Sequence, residues 1–388
     1  MMPPTAMRTL LAAAIAGVAL LSATVARAQT FETRVAHAVL IDYDTDTVLF
    51  KKDADVAMPP ASMAKLMTMA VVFSALKRGQ INLDDEFVVS ENAWRNGGAM
   101  SGGSTMFAEL GSSIRLQDLM RGIIIQSAND GCIVVAEGMA GSESAFADMM
   151  NEEARRIGLT GSHFTNPTGL PDPNQYVTAN DLAKLAHYII ATYPQFFKIY
   201  SETEFTWNKI TQKNRNPLLE MNIGADGMKT GFTEESGYGL VGTAIRDGQR
   251  LILVINGAPT DKERAEEARK LMDWGFRAFE RIELFANGEV IGEATVFHGD
   301  ASGVGLVSNG PIDILLPRGF SDQLRGRVVY QGPVPAPIDA GQEIGTLEIT
   351  VNGETLREAK VYASDDVGTG TLQQRAVDGL QELLLGWW

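Results

Sequence analysis

The chain has 388 residues, of which 45% are hydrophobic and 21% charged, with a formal charge of −15. That size and balance describe a globular protein of two or three domains, and the acidic excess argues against nucleic acid as a partner. A single cysteine, Cys132, allows no internal disulfide and reads as a small core residue. The four histidines, His37, His163, His187 and His298, lack metal-ligand spacing and no HExxH occurs, so neither a metal nor a cofactor is expected. A Gly-x-Ser-x-Gly elbow is also missing, which argues against the usual Ser-His-Asp hydrolase.

In chain order, Arg8 precedes an apolar run from Leu10 to Val25 that ends in Ala26-Arg27-Ala28, a small-x-small site before Gln29. The run is short for spanning a bilayer, so residues 1–28 read as a secretory signal peptide and the protein as exported, to the periplasm. Loss of Arg8 and Arg27, with no acid, takes the formal charge from −15 to −17. Ala36 to Tyr43 and Val48-Leu49-Phe50, joined by Asp44-Thr45-Asp46-Thr47, predict a hairpin.

Pro59-Pro60-Ala61 then runs into an apolar helix that passes Met67, Val71 and Leu76 and ends near Gly79. Ser62 falls at the mouth of that helix, where unpaired N–H groups and the positive dipole end favour developing negative charge. Lys65, three residues on, shares its face and could serve as base if a dry cleft strips its proton. Ser-x-x-Lys recurs at Ser74 to Lys77, but mid-helix, where a serine meets no free N–H groups.

The glycines around Gly97-Gly98 and Ser101-Gly102-Gly103-Ser104 suit either a site border or a surface loop. Leu116 to Gln126 is apolar enough for a buried helix and delivers Ser127-Ala128-Asn129-Asp130. There Ser127 reads equally as the cap of the next helix, Cys132 to Met139, and as a polar group set beside Asn129 in a dry cleft. Ser90-Glu91-Asn92 repeats the pattern and reads as a plain cap. Helices follow at Ser142 to Ile157 and Thr178 to Thr192, separated by a stiff loop, Asn166 to Pro173. Glu204 to Trp207 alternates as a strand.

Asp226-Gly227-Met228-Lys229-Thr230-Gly231 begins a strand set with Tyr238 to Ile245 and Leu251 to Ile255, before a helix from Asp261 to Phe279. On an edge strand Lys229 and Thr230 would offer a cation and a hydroxyl, and Gly231 would let a substrate backbone approach.

Ser62-x-x-Lys65, Ser127-x-Asn129 and Lys229-Thr230-Gly231, in that order, resemble the three motifs of serine penicillin-binding proteins and β-lactamases. The surrounding words, including Asp273-Trp274-Gly275-Phe276-Arg277, look like those of low-molecular-mass D-alanyl-D-alanine carboxypeptidases across roughly residues 33 to 385. The resemblance implies an α+β catalytic domain over 29–281, an antiparallel sheet flanked by helices, and D-alanine removal from peptidoglycan stem peptides with β-lactam antibiotics as inhibitors. It implies that Ser62 attacks, Lys65 takes its proton and Ser127 relays one to the leaving amine. Asn129 would hold the substrate amide and Lys229 would support Ser127 electrostatically, while Thr230 and Arg264 would serve the terminal carboxylate. The backbone N–H groups of Ser62 and Phe232 would form the oxyanion hole. Phe232 stands where several members have histidine, which implies altered selectivity. Endopeptidase or weak β-lactamase chemistry is the alternative, and a non-enzymatic wall-binding role a third. The one Glu-x-x-x-Asn between the second and third motifs, Glu204 to Asn208, reads as a strand, which argues against efficient β-lactam hydrolysis.

Beyond residue 282, short strands at Val290 to Val296, Ile312 to Leu316, Gly326 to Tyr330 and Ile344 to Val351 predict a small all-β domain over 282–370. The last stretch, 371–388, gathers Leu372, Ala376, Leu380, Leu383, Leu384, Trp387 and Trp388 near one helical face. Such an amphipathic helix could lie on the inner-membrane surface or dock on the β-domain.

Overall fold

The computed structural model describes residues 31–318, 323–351 and 353–377. The expected signal peptide, and residues 378–388 of the expected C-terminal helix, lie outside the described residues.

The catalytic-side sheet has five strands: β1 (His37–Asp42), β2 (Val48–Lys52), β3 (Ala225–Thr233), β4 (Gly237–Arg246) and β5 (Gln249–Ala258). They pair antiparallel in the order β2-β1-β5-β4-β3, which leaves the Lys229-Thr230-Gly231 strand at an edge. Leu251 to Ile255 is a continuous apolar run because both faces of β5 are covered. Leu251, Leu253 and Ile255 enter the core layer under the last helix, whereas Ile252 and Val254 enter the layer shared with the helical lobe.

That lobe contains α1 (Lys65–Lys77), α2 (Leu116–Ile125), α3 (Asn129–Ala140), α4 (Glu143–Ile157) and α5 (Ala179–Thr192), and α6 (Asp261–Ala278) covers the opposite sheet face. Every residue from Lys65 to Ala75 is buried, so α1 runs through the middle of the lobe, as its all-round apolar sequence requires. Side-chain caps hold several helix starts: Ser142 accepts from Ala145 N at 3.1 Å, Thr178 from Asp181 N at 3.0 Å and Thr260 from Glu263 N at 3.1 Å. Ser90 likewise accepts from Ala93 N at 3.0 Å, the plain cap its sequence suggests.

A second, all-β unit follows. Its six-stranded sheet runs Leu324–Tyr330, Glu343–Val351, Glu354–Ala363, Gly303–Val307, Gly292–Phe297, Val334–Pro335. A two-stranded ribbon, Phe279–Phe285 with Ile312–Pro317, joins it to α6. The period of two divides this ribbon between the cores: Ile312, Ile314 and Leu316 face the β-unit, while Leu315 packs into the layer under α6. Arg281 ties the same junction, reaching Asp44 at 2.8 Å and Asp313 at 2.5 Å. Strands at 279–285, 303–307 and 354–363 are additional to the sequence expectation. Glu354–Ala363 reads as polar because the strand carries charged residues along its length. Helix at 372–377 leaves Leu372 78% and Val377 55% exposed.

Candidate active site

The proline-rich loop ends in a tight 3-10 turn, Ala61–Ala64, and α1 continues from it. Ser62 therefore lies one turn ahead of the α-helix proper, and Lys65 is the first α-helical residue. Lys65 Nζ donates to Ser62 Oγ at 2.9 Å, to Asn129 Oδ1 at 2.8 Å and to the Thr168 carbonyl. Three acceptors thus fix the position of one ammonium.

Between α2 and α3 the chain reverses at Ser127, whose φ of +60° is left-handed, a conformation costly for a residue with a Cβ. The N-cap of α3 is Ala128, with no side-chain capping bond. Ser127 is therefore not a cap; its hydroxyl instead accepts from Lys229 Nζ at 2.9 Å. Asp130, next in sequence, anchors the glycine-rich loop from below. Its carboxylate accepts from Thr105 Oγ1 at 2.6 Å and from the N–H groups of Met106, Ala108 and Gly131 at 3.0 Å each. Asn129 N donates to Ser104 O at 2.8 Å, so the Ser101–Ser104 loop forms part of the cleft wall.

Across the cleft, edge strand β3 brings Lys229 and Thr230, both buried, against the Ser62 turn. Gly231 has a second reason to be small, within the protein itself. A Cβ there would sit 3.1 Å from Ala61 Cβ, Met63 Cγ and Pro60 O, so the glycine lets β3 close on the serine's own turn. Arg264 from α6 and Arg215 from the loop before β3 complete the ring, and Arg215 Nη1 donates to Ser104 Oγ. Two clefts flank Ser62, of about 400 and 460 Å³, and both include Ser104, Arg215 and Phe232.

Electrostatics set the character of the site. Lys65 and Lys229 are 1% and 3% exposed, and neither has a carboxylate within salt-bridge distance among the described residues. Burial pushes Lys65 down to about 8, and the Arg215 charge pushes the same way. Burial holds Lys229 well below the ordinary lysine range, with Lys65, Arg215 and Arg264 adding repulsion. Arg264 is also lowered by burial, and its Nε is buried with no hydrogen-bond partner among the described residues. Arg215 and Arg264 line one cleft together with Asp261, behind which the two lysines are buried, and an anionic ligand group would balance the excess positive charge there. Cys132 lies in the α3 core, its thiol pushed up to about 12 by burial, and is inert. No cluster among the described residues could hold a metal ion.

All nine residues singled out by sequence converge here: Ser62, Lys65, Ser127, Asn129, Lys229, Thr230, Gly231, Phe232 and Arg264. Glu204 does not; it is exposed on a hairpin with Ile210–Lys213. The Thr168 carbonyl, Arg215 and Asp130 escaped the sequence reading. A backbone carbonyl has no sequence signal, Arg215 lies in an undistinguished Asn214-Arg215-Asn216 loop, and only its adjacency to Asn129 marked Asp130.

A family profile described as D-alanyl-D-alanine carboxypeptidase matches residues 23–260, and one described as the C-terminal domain of penicillin-binding protein 5 matches residues 279–369. Among known proteins, D-alanyl-D-alanine carboxypeptidase DacC of Escherichia coli is 39% identical over 343 residues, 88% of this chain and 86% of its own length. DacA of Haemophilus influenzae is 39% identical over 333 residues, 85% of this chain and 84% of its own. Among solved structures, penicillin binding protein 5 from Haemophilus influenzae superposes with a TM-score of 0.80 at 37% identity, covering 88% of this chain and 99% of that one.

The loop that carries Thr168 is held against the nucleophile turn through Gly169. This residue has φ +80°, and a Cβ on it would fall 1.9 Å from the Ala61 carbonyl oxygen. Gly169→Ala is expected to cost roughly 2 kcal/mol or more, seen as a melting midpoint lower by about 4 °C or more. An unchanged midpoint in thermal unfolding would contradict this packing.

Proposed function

The chain belongs to the D-alanyl-D-alanine carboxypeptidase family, and from that membership we propose how its own residues release the terminal D-alanine of peptidoglycan pentapeptide stems. It is a serine hydrolase of the penicillin-binding type, acting on peptidoglycan and bound by β-lactams. One observation carries the residue assignment: two buried lysines, each 2.9 Å from a serine hydroxyl, on opposite sides of one cleft.

In the acylation step, neutral Lys65 takes the proton of Ser62 Oγ as that oxygen attacks the carbonyl carbon between the last two D-alanines. Asn129 Oδ1 and the Thr168 carbonyl keep Nζ aimed at the hydroxyl and favour its charge once it is protonated. The developing oxyanion is met by the N–H groups of Ser62 and Phe232. As the C–N bond breaks, Ser127 passes its proton to the departing amine and is reprotonated at the expense of the Lys65 ammonium, which returns to its neutral form, while Lys229 supports that hydroxyl from behind. The terminal carboxylate meets Thr230 and Arg264, with Arg215 across the cleft. Water then hydrolyses the ester and frees the shortened stem. A β-lactam enters the same acylation but leaves a tethered ester. Glu204 is too exposed and remote from the cleft lining to activate a deacylating water, which supports peptidase over β-lactamase turnover.

For location, the reading rests on sequence: a leader over 1–28 supports export to the periplasm, and the apolar face of 371–388 supports docking on the outer face of the cytoplasmic membrane. Exposure of Leu372 and Val377 at the start of that segment is in keeping with it. Among the described residues no helix is long and apolar enough to cross a membrane.

Two outcomes are expected. Purified protein given a pentapeptide ending in D-Ala-D-Ala releases free D-alanine, and Ser62→Ala lowers that release by roughly 10³-fold or more; no release by the parent, or equal release by the variant, would overturn the assignment. Deleting residues 371–388 moves the protein from the membrane pellet to the soluble fraction; undiminished recovery in the pellet would remove the anchor.

A further inference from the structure

Phe232 is a large aromatic ring left 49% exposed inside a cleft, and its surroundings suggest a use. On β3, Thr230 pairs with Leu240 and Phe232 with Tyr238 across the ladder. Leu240 lies in the core layer under α6 and Tyr238 packs on that layer. Thr230 and Phe232 therefore share the sheet face that looks toward α6, and Arg264 projects from α6 onto the same face. Phe232 and Tyr238 stack with centroids 4.1 Å apart and planes 29° off parallel, and the Arg264 guanidinium lies 5.6 Å over the Tyr238 ring. Carboxylate donors and aromatic wall thus form one continuous surface.

The cleft bounded by this wall measures about 460 Å³ and reaches from Ser62 and Ser127 to Arg264, with Asp261, one helical turn before Arg264, also in its lining. Pockets of this size accept ligands far larger than a single methyl side chain. Once a carboxylate is seated on Thr230 and Arg264 and the amide nitrogen on Ser127, the side chain of the same departing residue lies beside the stacked rings. Apolar groups gain there by covering ring surface, whereas an amide side chain would lose water without a matching donor from the rings.

We propose that the Phe232–Tyr238 stack is an apolar subsite for the side chain of the leaving residue, so that the enzyme also removes larger apolar D-amino acids, such as D-leucine or D-methionine, from stems ending D-Ala-D-Xaa. The proposal rests on the carboxypeptidase reading of the site and adds no chemical step. Ser62 Oγ bonds to the carbonyl carbon of the penultimate D-alanine, the C–N bond to D-Xaa breaks, its nitrogen takes the proton relayed by Ser127, and water hydrolyses the ester.

The test compares pentapeptides identical except for a terminal D-Ala, D-Leu or D-Asn, with each released amino acid quantified for the full chain and for Phe232→Ser. D-Asn matches D-Leu in shape, so their ratio isolates polarity. The expected kcat/KM ratio of D-Leu over D-Asn is roughly tenfold or more in the parent, and it falls by about tenfold in Phe232→Ser, mainly through KM for D-Leu. Taking the ratio within one protein cancels any general loss of activity, and if the variant is inactive on all three peptides the parent ratio alone decides. Normal D-alanine release with a ratio near one, or a ratio that Phe232→Ser leaves unchanged, overturns the subsite. Failure to release D-alanine at all overturns the carboxypeptidase reading beneath it.

Discussion

The site depends on burying two lysine side chains without a carboxylate to pair with them. In water an ammonium holds its proton far above neutrality. Inside this cleft the loss of hydration, compounded by neighbouring positive charges, works against the charged form of both Lys65 and Lys229. A paired carboxylate would stabilise the fold locally but would keep the lysine protonated and useless as a base. Hydrogen-bond acceptors take its place: Asn129 Oδ1, the Thr168 carbonyl and the serine hydroxyls fix each Nζ without supplying a full negative charge. Arg215 and Arg264, two cations against the single acid Asp261 in the cleft lining, explain how the cleft would receive a terminal carboxylate.

Holding that arrangement requires several chain segments to meet closely, and the backbone carries the strain. Ala61 and Ser127 both adopt left-handed conformations without being glycine, and Gly169 and Gly231 are small because the serine turn passes against them. The central position of α1 makes this possible: with every residue from Lys65 to Ala75 buried, the turn in front of it cannot drift. The five-stranded sheet holds Lys229 from one side, and the Asp130 carboxylate organises the loop opposite through three hydrogen bonds, from Thr105, Met106 and Ala108. Among the described residues the β-unit beyond residue 279 lines neither cleft, and it meets the sheet through the Leu315 layer and Arg281.

Much of this was legible in the sequence. Helix starts were marked by Ser142 and Thr178, the covered strands by unbroken apolar runs, and the nucleophile turn by a proline-rich entry into an apolar helix. The decoy serines separated on position, Ser74 within a helix and Ser90 as a cap. Legibility failed where a role arises only from tertiary placement. Thr168 acts through its carbonyl, which any residue could supply. Arg215 matters because its loop crosses above Ser104, and Tyr238 because it faces Phe232 in the ladder. Gly231 was visible, but its packing role was not: closeness to Met63 and Pro60 is a fact of how β3 meets the turn. Glu354–Ala363 is a strand against its composition, since its pairing on both sides outweighs its charges.

The central claim is that burial arms Lys65 as the base for Ser62, and it is tested most directly by the pH dependence of acylation. A penicillin's second-order rate with the protein, followed between roughly pH 6 and 10, should climb as Lys65 loses its proton and level off above it, with a midpoint near the value of about 8 that burial imposes. Below that midpoint the lysine is protonated and cannot accept from the serine, so the rate falls as pH falls. A rate that stays flat through this window, or the same rise in Lys65→Arg, whose side chain stays charged, would contradict the account.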